Sequence, residues 1–234
     1  ERYGAQSFFF TDECFALSPT KRLCQQMIDR QVNVKWTCEL RFEKNLTREL
    51  LGQMRDAGCL KIVFGLESFN QRVMDFMKKG IKQESVRRIV DDCVDLGIAV
   101  HCYVIVGFPT EKEEEALDTM NFVVGNKKLH ESYGFSCQPC LFDLEKEAPI
   151  MSDPGSYGIR RIMRPATEDL SLGFFYEVQE GMTPAQAEQL YQQVYEKISE
   201  VVCELPFNYS MADGLLYIAR AKSQALQVPQ PTGS

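Results

Sequence analysis

At 234 residues and 44% hydrophobic content, the chain can bury one substantial core. A net charge of -7 and a pI near 5.1 argue against a broad nucleic-acid-binding face, and no apolar run approaches the roughly 18 residues of a membrane helix. The nine cysteines are odd in number, mostly widely spaced and set among apolar neighbours; this reads as reduced thiols of a cytoplasmic protein rather than a secreted disulfide framework.

In chain order, Ser7-Phe8-Phe9-Phe10 predicts a short aromatic strand stopped by Thr11-Asp12-Glu13. Ser18-Pro19-Thr20 offers a cap and a first-turn proline for a helix reaching Arg30. Val34 to Leu40 alternates as a strand. Thr47, Leu50, Leu51, Met54 and Ala57 share one face of a helix closed by Gly58. Leu60 to Leu66 is strand again, Gln71 to Lys78 and Glu84 to Leu96 are helical, and Ala99 to Val106 is a strand with β-branched and aromatic residues throughout. Lys112 to Val124 carries acids at its start, as the helix dipole favours. Strands alternating with helices imply right-handed βαβ units and a parallel sheet.

Tyr133 to Phe142 is strand-like, and its Cys137-Gln138-Pro139-Cys140 offers two thiols where a metal site wants about four ligands; two strand thiols are the simpler reading. Asp143 to Asp169 reads as a long irregular loop. Thr183-Pro184 opens a helix with Leu190, Val194, Ile198 and Val202 on one face. The expected organisation is residues 1–142 as an α/β unit, 143–228 as irregular loop plus C-terminal helical extension, and 229–234 as a flexible tail.

A parallel sheet or barrel presents its ligand site at the carboxyl ends of its strands. Four strand ends carry chemistry there: Thr11, Asp12 and Glu13; Glu39 and Arg41; Glu67 and Ser68; and Gly107 with Thr110. A carboxylate at such an end can hold ribose hydroxyls or an ammonium group, and an arginine can pair bidentately with a carboxylate. Each also has a plain structural reading: strand stop, intrasheet ion pair, helix N-cap or turn. His101, inside an apolar strand, reads as a core histidine, and His130 as a solvated one. Without a nucleophile–base pair, hydrolytic triad chemistry has no support, and neither a P-loop nor GxGxxG is present. Arg160, Arg161 and Arg164 read as a solvated cluster or an anion site.

The run from Gly58 to Ser68, followed by Met77-Lys78-Lys79-Gly80, resembles the fourth strand and next helix of radical S-adenosylmethionine (SAM) enzymes. Gly97-Ile98 and then Val104 to Glu111 are similar to the fifth strand and the start of the next helix. Phe10 to Phe15 resembles the second strand of the branch that carries a cobalamin-binding domain or transfers methylthio groups. The resemblance covers residues 7 to 142. It implies a partial (β/α)6 TIM-like barrel with parallel strands. It also implies Glu67 and Ser68 near the SAM ribose, Val106 and Gly107 near adenine, and Glu39 and Arg41 pointing into the barrel. Thr11, Asp12 and Glu13 occupy the place of the family's Gly-Gly-Glu turn, which is not present.

The family's CxxxCxxC loop, which holds a [4Fe–4S] cluster, is not found in this sequence. With a Glu as residue 1 and the match opening at the second strand, the expectation is a portion of a longer radical SAM enzyme whose cluster ligands lie upstream of residue 1; the alternative is a cluster-less nucleoside-binding module. A cluster-independent α/β enzyme with a coincidental likeness is a third reading. The complete enzyme is expected to cleave SAM to a 5′-deoxyadenosyl radical, or to use it for methylation, and to modify an unreactive carbon of a small-molecule or peptide substrate. Flavodoxin or ferredoxin is the implied electron donor, and cobalamin an implied further cofactor. The strand at Ser7 to Phe10 is expected at an exposed sheet edge.

Overall fold

The structure, a computed structural model, describes residues 6–12, 14–125, 135–164 and 173–201. Five strands, β1 (Ser7–Phe9), β2 (Lys35–Leu40), β3 (Cys59–Glu67), β4 (Ala99–Val106) and β5 (Phe135–Leu141), pair in parallel in the order β1-β2-β3-β4-β5. Helices α1 (Leu17–Asp29), α2 (Arg48–Asp56), α3 (Gln71–Phe76), α4 (Gln83–Asp95) and α5 (Glu113–Val124) connect them. Sequential neighbours in a parallel sheet with helical crossovers build the TIM-like architecture, here a partial barrel. β1 lies at the sheet edge, where the sequence places it.

Period-two alternation divides the sheet into two faces. Trp36, Cys38 and Leu40 of β2, Ile62, Phe64 and Leu66 of β3, and Val100, Cys102, Val104 and Val106 of β4 are all buried. The core they join includes Leu50, Leu51 and Met54 of α2 and Val86, Ile89, Val90 and Cys93 of α4. Trp36 also donates its indole N–H to the Ala57 carbonyl at 2.8 Å, tying β2 to the end of α2. Thr47 caps α2, accepting from the Leu50 amide at 3.3 Å. Gly58 comes next with φ 98°, where an added Cβ would overlap the Val34 carbonyl.

Two local expectations are corrected. The first helix starts at Leu17 and its N-cap is Ala16, with no side-chain cap, so Ser18 and Pro19 lie inside its first turn. The buried Thr20 hydroxyl turns inward and donates to the Ala16 carbonyl at 2.7 Å, which anchors a helix that starts two residues earlier than a Ser18 cap would place it. Asp143 to Asp169 is not one irregular loop. It contains β6 (Leu144–Glu145), two 3₁₀ turns (Pro149–Ser152 and Pro154–Tyr157) and β7 (Ile159–Met163). With β8 (Gly173–Val178) these strands form an antiparallel sheet, ordered β6-β8-β7. Leu144, Ile150, Ile159, Phe174 and Tyr176 give it a core of its own, against which Phe108 and Phe142 from the barrel edge pack. The sheet forms because it lets this second apolar set leave water.

The C-terminal helix α6 (Pro184–Val201) buries Leu190, Val194 and Ile198 in the main core, as its sequence pattern requires. His130, Cys203 and the expected tail after Val228 lie outside the described residues. No helix among the described residues is long and apolar enough to cross a membrane.

Candidate functional site

The face of the sheet opposite the main helical core carries the polar side chains. Pairing register sets them in layers across the strands: Thr37, Lys61 and Ala99; then Glu39, Val63, His101 and Ser136; then Gly65, Tyr103 and Gln138; and at the upper end Ile105 and Cys140. His101 Nδ1 and the Ser136 hydroxyl are 2.7 Å apart, and the His101 ring meets Tyr103 edge to face at 4.9 Å. Burial, and after it the charge of Lys61, lowers the His101 pKa to about 3, so the ring is neutral. Burial also lowers the pKa of Lys61. Tyr103 is raised by burial and then by the negative charge of Glu39, and Cys140 by burial and then by Glu67. Glu39 and Glu67 therefore share one field with a phenol and a thiol that both keep their protons.

At the carboxyl edge the predicted residues divide. Glu67 lies just past an irregularity in β3 between Gly65 and Glu67, with its backbone at φ 61°. Its carboxylate accepts from Lys79 Nζ at 3.1 Å, and the same ammonium donates to the Gly65 carbonyl at 3.3 Å. Arg41 lines a small groove with Gly65 and Lys79. The fold thus brings Arg41, Glu67 and Lys79 to one end of β2 and β3. Thr11 and Asp12 are exposed in the loop after β1. That loop is anchored over the end of β2 by Phe15, whose amide donates to the Glu39 carbonyl at 3.0 Å and whose ring stacks on Phe10 at 4.8 Å. Glu13 lies outside the described residues.

Ser68 is fully buried and internally engaged: its hydroxyl is 3.3 Å from the Thr119 hydroxyl and accepts from the Asn70 amide at 3.1 Å. Val106 is buried, and its carbonyl accepts from the Phe142 amide at 2.9 Å. Gly107, at φ 85°, donates its amide to Glu111 Oε2 at 2.7 Å, and an added Cβ would overlap Ala187 of α6. Glycine at 107 is thus what lets α6 approach the end of β4.

The segment after β4 ties the barrel to both later units. A Cβ on Gly158 would overlap the Thr110 side chain, and one on Gly181 would come within 2.5 Å of the Thr110 carbonyl carbon. The Met182 amide donates to the Glu111 carbonyl at 2.8 Å. Arg72 pairs through two nitrogens with Glu115 and donates to the Thr110 carbonyl at 2.8 Å. Glu111 itself is buried, its Oε1 has no hydrogen-bond partner among the described residues, and burial raises its pKa to about 8. Arg160 and Arg161 lie within ion-pair distance of Glu177, and Arg164 stands over the Phe174 ring at 5.2 Å. The arginine cluster is spent on the accessory sheet.

The described cysteines do not suit a cluster. No group of three or more His, Cys, Asp or Glu residues that could hold a metal occurs among the described residues. Cys137 and Cys140, three apart on β5, point to opposite faces. Burial raises the thiols of Cys24 (to about 11), Cys59, Cys93, Cys102 and Cys137, which keeps them protonated rather than as the thiolates that bind metal.

Sequence reasoning concentrated on strand ends and missed the polar ladder of Lys61, Tyr103, Ser136 and Gln138, together with Lys79; it reads Glu111 as a carboxylate closing its strand but does not foresee that it is buried. The ladder had a signal: on β4 the pattern Ala-Val-His-Cys-Tyr-Val-Ile-Val puts His101 and Tyr103 on the face opposite the valines.

Comparison with known proteins matches this architecture. The profile of the Radical SAM superfamily matches residues 1–123. Over 133 residues the chain is 28% identical to an uncharacterized methyltransferase of Pyrococcus horikoshii, covering 56% of this chain and 28% of that protein. Among solved structures, the radical SAM methyltransferase TsrM from Kitasatospora setae, with tryptophan substrate and a SAM analogue bound, aligns with a TM-score of 0.58 at 15% identity. That alignment covers 91% of this chain and 47% of TsrM. Coproporphyrinogen III oxidase from Escherichia coli aligns with a TM-score of 0.53 at 14% identity, covering 84% and 40%. The chain spans less than half the length of each of these relatives. With the profile covering more than half of its residues, the chain belongs to the radical SAM superfamily.

Proposed function

We propose that this chain is the SAM cradle of a methyltransferase that acts on an unreactive carbon of a small molecule or peptide. The observation that carries this reading is the end of β2 and β3, where Glu67 is paired with Lys79 and Arg41 lines a groove with Gly65 and Lys79. That donor set suits SAM: a carboxylate for the ribose hydroxyls and a guanidinium for the methionine carboxylate. The methyltransferase part draws on the likeness to the P. horikoshii protein and to TsrM.

When bound, SAM supplies a methyl or an adenosyl group. The chain's own contribution is positioning and neutrality. Glu67 accepts from the ribose and Arg41 donates to the carboxylate, while the backbone at Val106 and Gly107 closes the end of β4 beside adenine, the Val106 side chain itself being packed in the helical core. Tyr103 and Cys140, both held protonated, can donate hydrogen bonds into the lumen but do not act as bases near neutral pH. The [4Fe–4S] cluster that the family implies does not fit the described cysteines, so its ligands are placed elsewhere in the whole protein and no step here runs through it. Cobalamin and a flavodoxin or ferredoxin donor belong to the same proposal for the whole enzyme.

The test is anaerobic reconstitution of the full-length protein with iron and sulfide, and then addition of SAM. Iron uptake and conversion of SAM to S-adenosylhomocysteine or 5′-deoxyadenosine are expected. SAM binding without iron uptake would favour the cluster-less nucleoside-binding module, to which the unsuited cysteines also point. Failure to bind SAM at all would sink both.

A further inference from the structure

We infer that Lys79 and Gly65 are positioning residues that together fix the Glu67 carboxylate over the end of β3, so that one of its oxygens stays free for the ribose hydroxyls. The inference rests on the reading of Glu67 as a ribose-binding residue and goes beyond it in saying what aims that residue. Three features converge. Glu67 has a left-handed backbone, which a non-glycine residue adopts only where its surroundings hold it. Its Oε1 is bound by Lys79 at 3.1 Å. And a Cβ on Gly65 would lie 2.6 Å from that same oxygen, so the carboxylate folds back into space that only glycine leaves open.

The turn that delivers Lys79 is built for this. α3 ends with Lys78 at φ 57°, and the Lys79 amide reaches back to the Met74 carbonyl at 3.0 Å, a Schellman-type close. Gly80 at φ 69° then turns the chain again. Lys79 is thus bracketed by two left-handed residues, which fix its backbone. Its ammonium bridges Glu67 and the Gly65 carbonyl, and both side chains of the pair are about one-fifth exposed (23% and 22%), shielded enough for the contact to hold. Glu67 Oε2 accepts no hydrogen bond from the described residues, and that oxygen is the one left for a ligand.

The test measures equilibrium binding of SAM, and of an analogue lacking both ribose hydroxyls, to the full-length protein and its variants. Wild type is expected to prefer SAM by at least tenfold. Lys79→Met removes the tether and Gly65→Ala displaces the carboxylate without touching Lys79; each should cut the preference to threefold or less. Lys79→Arg should restore most of it. Thermal denaturation of each variant separates loss of aim from loss of fold, and Lys79→Met, in a turn outside both cores, keeps the test decisive should Gly65→Ala not fold. A Lys79→Met protein that binds SAM more weakly but keeps its full preference for the hydroxyls overturns the inference while leaving Glu67 on the ribose. A wild type that binds both ligands equally overturns the ribose assignment itself, and this inference with it.

Discussion

Replacing Glu111 with Gln tests the electrostatics of the barrel edge most directly. The carboxyl is 1% exposed and its pKa is raised to about 8 from 4.5, chiefly by burial. Because the folded state holds this proton more tightly than the unfolded chain, the group's contribution to stability is fully present below pH 4.5 and is lost as pH rises towards about 8. At about 1.4 kcal/mol per pKa unit, the full span is on the order of 4–5 kcal/mol. His101 works in the opposite sense. Its pKa is lowered to about 3 from 6.5, so its burial costs stability as pH falls below 6.5. Between about pH 4.5 and 6.5 the two slopes cancel, and above 6.5 only Glu111 remains. Wild type should therefore show a plateau and then a loss of about 2 kcal/mol between pH 6.5 and 8. Glu111→Gln, which keeps an acceptor for the Gly107 amide but has no proton to lose, should instead gain stability up to pH 6.5 and stay level above it. Urea denaturation at half-unit pH steps from 4.5 to 8.5 reads both curves. Parallel profiles for the two proteins would refute the reasoning, because Glu111 would then titrate alike folded and unfolded.

Packing sets three further outcomes. Gly107→Ala combines a left-handed backbone with an overlap on Ala187, and should cost more than about 2 kcal/mol; adding Ala187→Gly should recover part of that loss in the same denaturation assay. Trp36→Ala removes a 1% exposed indole, its hydrogen bond to Ala57 and its edge contact with Phe10, for an expected loss of about 3–5 kcal/mol in urea. Arg72→Met breaks the pairing with Glu115 and the bond to the Thr110 carbonyl, and since Arg72 is 45% exposed the loss should be about 1 kcal/mol, read as a lowered denaturation midpoint.

The barrel was legible because its strands obey a two-residue period and three of its helices, α2, α4 and α5, end at glycines: Ala99–Val106 is found where the pattern puts it, and α2 closes at Gly58. The accessory sheet was hidden for equally physical reasons. β6 has two residues and no period to read, and β7 breaks its alternation where the register slips between Ile159 and Arg161. Ser68 illustrates a third limit. Its place at a strand end was readable, but the inward turn of its hydroxyl depends on Thr119, 51 residues later. Glu111 was masked by the acids after it, since a run of Glu ahead of a helix looks solvated whether or not its first member is buried.

The crowded stretch from Gly107 to Glu111 has a mechanical consequence. Three glycine contacts and the Met182 amide clamp it to α6 and to one end of the accessory sheet, where the start of β7 meets the end of β8, leaving little slack for either to swing independently of the end of β4. The loop after β1 is held among the described residues by Phe10 and Phe15, whose amides donate to the Thr37 and Glu39 carbonyls at 3.0 Å each, while Thr11 and Asp12 face solvent. The rim at the end of β4 is held as a fixed wall by both later units of the chain.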